Sequence, residues 1–244
     1  MALAVTNPAV PRNLRRGAEL PSSINVVWDW ASNPYGRDLY GVNHLSGTGG
    51  QLAPVRGSNA LQVTSALAET GALSGDSDYF LMRACIYVRK IPTSENPIIS
   101  RGWDGFGAGW SIYLAVVNGG QVFATCVTGN GNWVQMSSVS TSTVRLGWNC
   151  VGLSLLQAVG AEPSYIKSFI NGANESRTGL TGFSIIRGSA KSFTVGAING
   201  AYSTADIDIG RIALTILPSG STVTEGQADD WMVLRYRNER EMFA

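Results

Sequence analysis

The chain has 244 residues, a net charge of +1, only 14% charged residues and 29 glycines. Near-neutrality excludes nucleic acid and membrane surfaces as bulk electrostatic partners. Low charge with abundant glycine points to a turn-rich all-β protein, either one large sandwich or two small domains.

In chain order, residues 1–23 read as an extended N-terminal arm. Pro8, Pro11 and Pro21 break any helix, and Arg12, Arg15 and Arg16 either stay in water or pair with a neighbouring subunit. No secretory signal is expected, because Met1-Ala2-Leu3-Ala4-Val5 is too short for an apolar h-region and prolines follow at once. Residues 24–30 read as the first strand. Residues 31–59 read as a long loop broken by Asn33-Pro34 and Gly47-Thr48-Gly49-Gly50; it holds the only histidine, His44, which is expected to face solvent.

From residue 60 the strands come closely: 60–64, 78–90, 96–101, 109–117, 121–128 and 133–138. Residues 78–90 alternate Phe80, Met82, Ala84, Ile86 and Val88, the pattern of a strand with one apolar face. Asn118-Gly119-Gly120 turns one strand back on the next. Residues 146–155 and 164–170 form a further pair, the second ending in Asn171-Gly172, a dipeptide suited to a tight hairpin because both residues tolerate positive φ. Strands at 193–198 and 207–217 follow. Repeated strands with Gly-rich turns and no interleaved helices mean a sandwich or jelly roll. Residues 222–244 change character: Thr224-Glu225 reads as a cap, and Ala228, Trp231, Met232, Leu234 and Tyr236 give helical spacing. This C-terminal helix either packs on the sandwich or is offered to a neighbour, with Trp231 and Arg235 as candidate contacts. The expected organisation is thus an arm (1–23), a sandwich (24–221) and a helix (222–244).

Cys85, Cys126 and Cys150 each sit in an apolar strand-like run, with no spacing for a disulfide framework or a zinc site. They read as reduced core residues.

Several pieces, in order over roughly residues 58–231, resemble one family. Leu146-Gly147-Trp148-Asn149-Cys150-Val151 with Tyr165 to Gly172 resembles a "G-W-H-x-V-A … L-Y-V-N-G" pair. Pro97-Ile98-Ile99-Ser100-Arg101 with Gly109-Trp110-Ser111-Ile112-Tyr113-Leu114 resembles "I-L-S-K … G-W-S-L-Y-L". Asn118 to Phe123, Phe193 to Ala197, and Asp208 to Leu214 resemble "N-G-x-L-x-F", "L-x-I-G" and the closing "G-x-I-D-x-V-R-I". The chain in this way resembles the laminin G-like, concanavalin A-like lectin/glucanase family, which implies an all-β jelly-roll sandwich. That family includes carbohydrate-binding modules, adhesion domains, glycosidases and domains on phage particles. Asn149 and Cys150 depart from it, standing where the family often has His-His or Asn-His, and the first 57 residues have no counterpart.

The chemistry of hydrolysis is weakly represented. Glycosidases of this fold carry carboxylates of the type E-x-D-x-E, and the nearest match is Asp206-Ile207-Asp208, with no Glu beside it. No nucleophile elbow accompanies His44. Asp104, Asp206 and Asp208 are the calcium candidates, but no ligand cluster is visible, so no metal or cofactor is expected. Trp103, Phe106 and Trp133 lie near loops, where aromatic faces stack on sugars or anchor protein contacts; Trp110 and Trp148 are expected in the core. The expected function is therefore non-enzymatic: a structural and recognition protein of a phage virion, made in the host cytoplasm, serving as a decoration, cement or tail-associated component. Its partners would be virion proteins or identical subunits, gripped by Arg12, Arg15, Arg16, Trp231 and Arg235. The alternative is a lectin-like module binding cell-surface glycan through Trp103, Phe106 and Trp133, with a glycosidase last.

Overall fold

The protein is described from a computed structural model. It covers residues 24–30, 38–39, 44–46, 50–55, 58–63, 67–69, 79–102, 110–128, 134–156, 164–180, 193–198, 201–202, 206–217 and 221–240. The arm and the segments carrying Trp103, Phe106 and Trp133 lie outside these residues.

Two antiparallel sheets form a jelly-roll-like β-sandwich. The elements in chain order are β1 (Ile24–Asp29), β2 (Leu45–Ser46), β3 (Gly50–Val55), β4 (Ser58–Val63), β5 (Leu67–Glu69), β6 (Tyr79–Val88), β7 (Asn96–Gly102), β8 (Trp110–Val116), β9 (Gln121–Thr128), β10 (Val134–Thr143), β11 (Gly147–Leu156), β12 (Ser164–Ile170), β13 (Ala173–Leu180), β14 (Phe193–Val195), β15 (Ala197–Ile198), β16 (Ala201–Tyr202), β17 (Ile207–Leu217) and helix α1 (Glu225–Arg240). The first sheet runs β13-β12-β11-β6-β17-β4-β3, with β1 also paired to β17. The second runs β10-β9-β8-β7-β14-β5-β2.

The core lies between the sheets. The alternating residues of β6 (Phe80, Met82, Ala84, Ile86, Val88) meet Ile112, Leu114 and Val116 of β8, Val122 and Ala124 of β9, and Leu153 and Leu155 of β11. At one margin the sheets are joined by polar contacts instead. Ser138 of β10 donates its hydroxyl to Ser168 Oγ of β12 at 3.1 Å, and Glu175 of β13 accepts from Thr141 Oγ1 and the Ser142 amide, each at 2.9 Å.

The turns follow their sequence signals. Asn171 (φ 51°) and Gly172 (φ 80°) close the β12–β13 hairpin with two left-handed residues. Asn118–Gly120 links β8 to β9, with Gly119 at φ 81°. Thr224 caps α1: its Oγ1 accepts from the Gln227 amide at 3.3 Å, and Gln227 Oε1 accepts from the Thr224 amide at 2.9 Å. That reciprocal pair satisfies two donors otherwise orphaned at a helix start.

Three expectations need correction. The stretch 31–59 is not all loop, since β2 and β3 lie within it. β3 sits at the sheet margin, where Pro54 costs no ladder hydrogen bond. The polar strand β13 has no apolar alternation and is specified by its turn and its pairing with β12. The buried side of α1 does not pass through Leu234, which is 38% exposed. It runs Ala228, Trp231, Met232, Arg235, Glu239, so two charged residues occupy the inward stripe.

Helix α1 covers the outer face of the first sheet. Ala228, Trp231 and Met232 pack on Leu81, Leu156, Tyr165, Phe169 and Leu217. The approach is close: a Cβ on Gly152 of β11 would fall 2.4 Å from Met232 Cε and 2.9 Å from the Met82 carbonyl. Among the described residues no helix is long and apolar enough to cross a membrane.

Candidate functional site

Two regions gather chemistry-bearing residues. The first is one end of the second sheet. Gly102 at the end of β7 pairs with Trp110 at the start of β8. Thr128 at the end of β9 pairs with Val134 at the start of β10. The β8–β9 register, Ile112 opposite Cys126, carries on toward Trp110 and Thr128, so these four residues lie in one row across the sheet. Segments 103–109 and 129–133 both spring from that row. Their outer anchors, on β7 and β10, are three strand spacings or about 14 Å apart. The described residues that flank the segments holding Trp103, Phe106 and Trp133 therefore lie at the same end of the sheet.

The second region is the crevice between α1 and the outer face of the first sheet. Cys85 of β6 lies directly opposite Cys150 of β11. Cys150 directs its backbone the other way: its amide donates to Asn171 Oδ1 at 2.9 Å, and its carbonyl accepts from the Asn171 amide at 2.7 Å. The Cys85/Cys150 pair is therefore a non-hydrogen-bonded site of its ladder, where opposing side chains come closest. Burial and a hydrogen bond shared with Cys150, which is the larger influence, push the Cys85 thiol well above its ordinary pKa.

Glu239, in the last turn of α1, reaches into this place. Its Oε1 lies 3.1 Å from Arg83 Nη2 and 3.6 Å from Arg211 Nε, while Oε2 lies 4.0 Å from Cys85 Sγ. Arg211 also faces Asp29 at 3.8 Å. The Arg83 guanidinium stacks 4.5 Å over the Trp231 ring, and its burial pulls its pKa down against the opposing charge of Glu239. Beside the thiols opens a cavity of about 220 Å³ lined by Trp148, Asn149, Asn171, Tyr236 and Arg240 with the two cysteines. Asn149 is pinned there, accepting from the Arg145 amide at 3.0 Å and donating to the Arg145 carbonyl at 2.6 Å. Tyr236 lies over Gly172, where a Cβ would sit 2.5 Å from its ring.

The residues singled out from sequence fall as follows. Trp231 and Arg235 are 4% and 8% exposed, so both side chains are taken up inside the chain's own helix–sheet interface. Arg12, Arg15, Arg16, Trp103, Asp104, Phe106 and Trp133 lie outside the described residues. Asp208 is fully buried and accepts from Arg89 Nε at 2.6 Å. Burial raises its pKa, with Arg89 drawing it partly back. Asp206 offers its backbone carbonyl to the Arg89 amide at 2.8 Å. His44 is half-buried rather than solvent-facing, and its Nδ1 accepts from the Asp38 amide at 3.2 Å. Trp148 is half-buried beside the crevice, edge-on to Tyr87 at 5.4 Å, and not in the inter-sheet core. All three cysteines are free and buried, but only Cys126 belongs to the core between the sheets. Among the described residues, Cys85, Cys150 and Glu239 are the group whose ligating atoms converge, all within 4.8 Å of one another. No motif spacing pointed to them, because strand pairing and a helix distant in sequence assemble the group.

No family model matches the chain, and a sequence search of curated proteins finds no match. Solved structures share the fold. Domain 4 of AbnA, a GH43 extracellular arabinanase from Geobacillus stearothermophilus, in complex with arabinotriose, aligns with a TM-score of 0.53 at 16% identity, covering 85% of this chain and 97% of that domain. Trypanosoma rangeli sialidase aligns with a TM-score of 0.59 at 14% identity over 98% of this chain, but only 36% of the sialidase is spanned. The receptor-binding domain of botulinum neurotoxin D aligns at 0.58 and 12% identity, over 89% of this chain and 53% of that one. At such identities the likeness is one of fold: an all-β sandwich found in carbohydrate-binding and carbohydrate-active proteins and in a receptor-binding domain.

Proposed function

We propose that the chain is a non-enzymatic recognition module whose loop-bearing end of the second sheet binds carbohydrate, with Trp103, Phe106 and Trp133 as the stacking faces. The observation that carries this reading is the common row formed by Gly102, Trp110, Thr128 and Val134, from which both aromatic-bearing segments depart. Indole and phenyl faces offer large apolar area with little rotamer entropy to lose, the physical requirement for gripping a sugar ring. Against hydrolysis by a facing pair of carboxyl groups, the mechanism of most glycosidases, Asp208 is buried against Arg89. The fold shared with an arabinanase domain solved with arabinotriose, and with a toxin's receptor-binding domain, agrees with a binding role.

A glycan array followed by calorimetry tests this. Trp103→Ala and Trp133→Ala are each expected to weaken binding about tenfold, the equivalent of one lost stacking contact. Binding unmoved by both substitutions, or no glycan bound at millimolar concentration, overturns the reading. As a second proposal, the phage-virion setting places the subunit contacts on Arg12, Arg15 and Arg16, since Trp231 and Arg235 are buried within the chain. It predicts that removing residues 1–23 abolishes self-association or particle attachment, measured by light scattering and co-sedimentation.

A further inference from the structure

The crevice under α1 holds a group that carbohydrate recognition does not use. We infer that Cys85, Cys150 and Glu239 form a binding site for one thiophilic divalent cation of the zinc type, with the fourth coordination position open to the adjoining cavity.

Five observations carry this. The donor set is two sulfurs and one carboxylate oxygen, a composition suited to zinc and unsuited to calcium or magnesium. The spacing is close to that of a bound ion. Tetrahedral zinc with Zn–S near 2.3 Å and Zn–O near 2.0 Å needs ligand atoms about 3.5–3.8 Å apart. Here the three atoms already lie within 4.8 Å, and Cys85 Sγ is 4.0 Å from Glu239 Oε2. Side-chain torsions of less than about 1 Å of atomic movement close the rest.

The carboxylate is also divided between two tasks. Oε1 is held by Arg83 and Arg211, whereas Oε2 points to the thiols. A ligating carboxylate fixed by a hydrogen bond to its other oxygen is the usual outer-shell arrangement of a metal centre. Finally, the charge balances. Exchanging two thiol protons for one divalent ion leaves the net charge of a cluster containing Arg83, Arg211, Arg235, Asp29 and Glu239 unchanged, so the buried arginines need not rearrange. The cavity of about 220 Å³, lined by both cysteines, provides a way in and room for a fourth ligand. Once bound, the ion ties the final turn of α1 to β6 and β11, fastening the helix to the sheet at the end opposite its Thr224 cap.

The test uses the full chain, reduced and freed of metal with a chelator, titrated with Co²⁺ and then Zn²⁺ under anaerobic conditions. Expected are one ion per chain, a sulfur-to-cobalt charge-transfer band with intense tetrahedral visible bands, displacement of cobalt by zinc, and release of about two protons per ion. Cys150→Ser is expected to weaken binding at least ~100-fold and Glu239→Gln at least ~10-fold, given that even outer-shell changes cost 10–100-fold. Cys126→Ser, buried between the sheets, is expected to bind as wild type. A control on the unaltered chain covers variants that fold poorly: zinc should raise Tm and slow oxidation of the Cys85–Cys150 pair. Absence of the charge-transfer band at stoichiometric cobalt overturns the inference. So does wild-type affinity in Cys150→Ser, or a Cys85–Cys150 disulfide that forms equally fast with zinc present.

Discussion

The two faces of the first sheet are buried by different means. Toward the second sheet, Phe80, Met82, Ala84, Ile86 and Val88 of β6 enter an apolar layer whose cohesion is non-directional. Toward α1 the intervening residues Leu81, Arg83 and Cys85 meet Trp231, Met232, Arg235 and Glu239. There a buried ionic network is interleaved with hydrocarbon. An apolar layer accepts many registers of its partner. A guanidinium that must meet one carboxylate accepts few, so the ionic layer fixes where the helix lies. The cost is desolvation, which makes the network less forgiving of a single loss.

The sharpest way to break this contrast is Glu239→Ala. It leaves Arg83 buried without the carboxylate it faces and removes a partner of Arg211, and is expected to cost about 3–5 kcal/mol in urea unfolding with chelator present. Combining Arg83→Met with Glu239→Leu should recover most of that loss, because Arg211 keeps Asp29 and a thioether packs well on Trp231. If the double variant is as unstable as the single, the network is worth more than its hydrophobic replacement. In the inter-sheet layer Leu153→Ala should cost about 2–5 kcal/mol through lost burial and a cavity. There, by contrast, Leu153→Met should be tolerated with a loss under about 1.5 kcal/mol.

The smallest effect concerns pH. Partial burial would raise the Glu225 carboxyl, but the hydrogen bonds and charges of Arg177 and Lys167 outweigh it and hold the pKa below its ordinary value. A depressed folded-state pKa gives stability that is present above the unfolded value, about 4.3, and lost as pH falls through the folded one. Wild type should therefore lose more stability than Glu225→Gln between about pH 5 and 3. Equal acid limbs in thermal melts would assign that loss to other carboxylates, among them Glu175, whose bonds from Ser142 and Thr141 likewise outweigh its burial and hold it low.

Much of the fold was legible in local pattern. Alternation in β6, the left-handed Asn171-Gly172 turn, the Asn118-Gly119-Gly120 reversal and the Thr224 cap each state a backbone geometry in a few adjacent residues. β13 was hidden because Ala173–Leu180 is polar, and a marginal strand takes its conformation from its partner. The inward side of α1 misled for a related reason: Leu234 looks like a core residue and Arg235 and Glu239 do not, yet Glu239 meets Arg83 and Arg211 on the sheet and Arg235 lies over the Trp231 ring.

The sequence alone determined the all-β class, the two-layer apolar core and the helical end, since each depends on periodicity and turn chemistry within short windows. The tertiary structure decided which polar residues meet. Cys85, Cys150 and Glu239 come from two strands far apart in sequence and a terminal helix, and only the ladder register of β6 with β11 and the docking of α1 bring their sulfur and oxygen atoms within ligating range. The strand ends that flank the aromatic-bearing segments, likewise, share one end of a sheet because antiparallel connectivity returns every second connection to the same side.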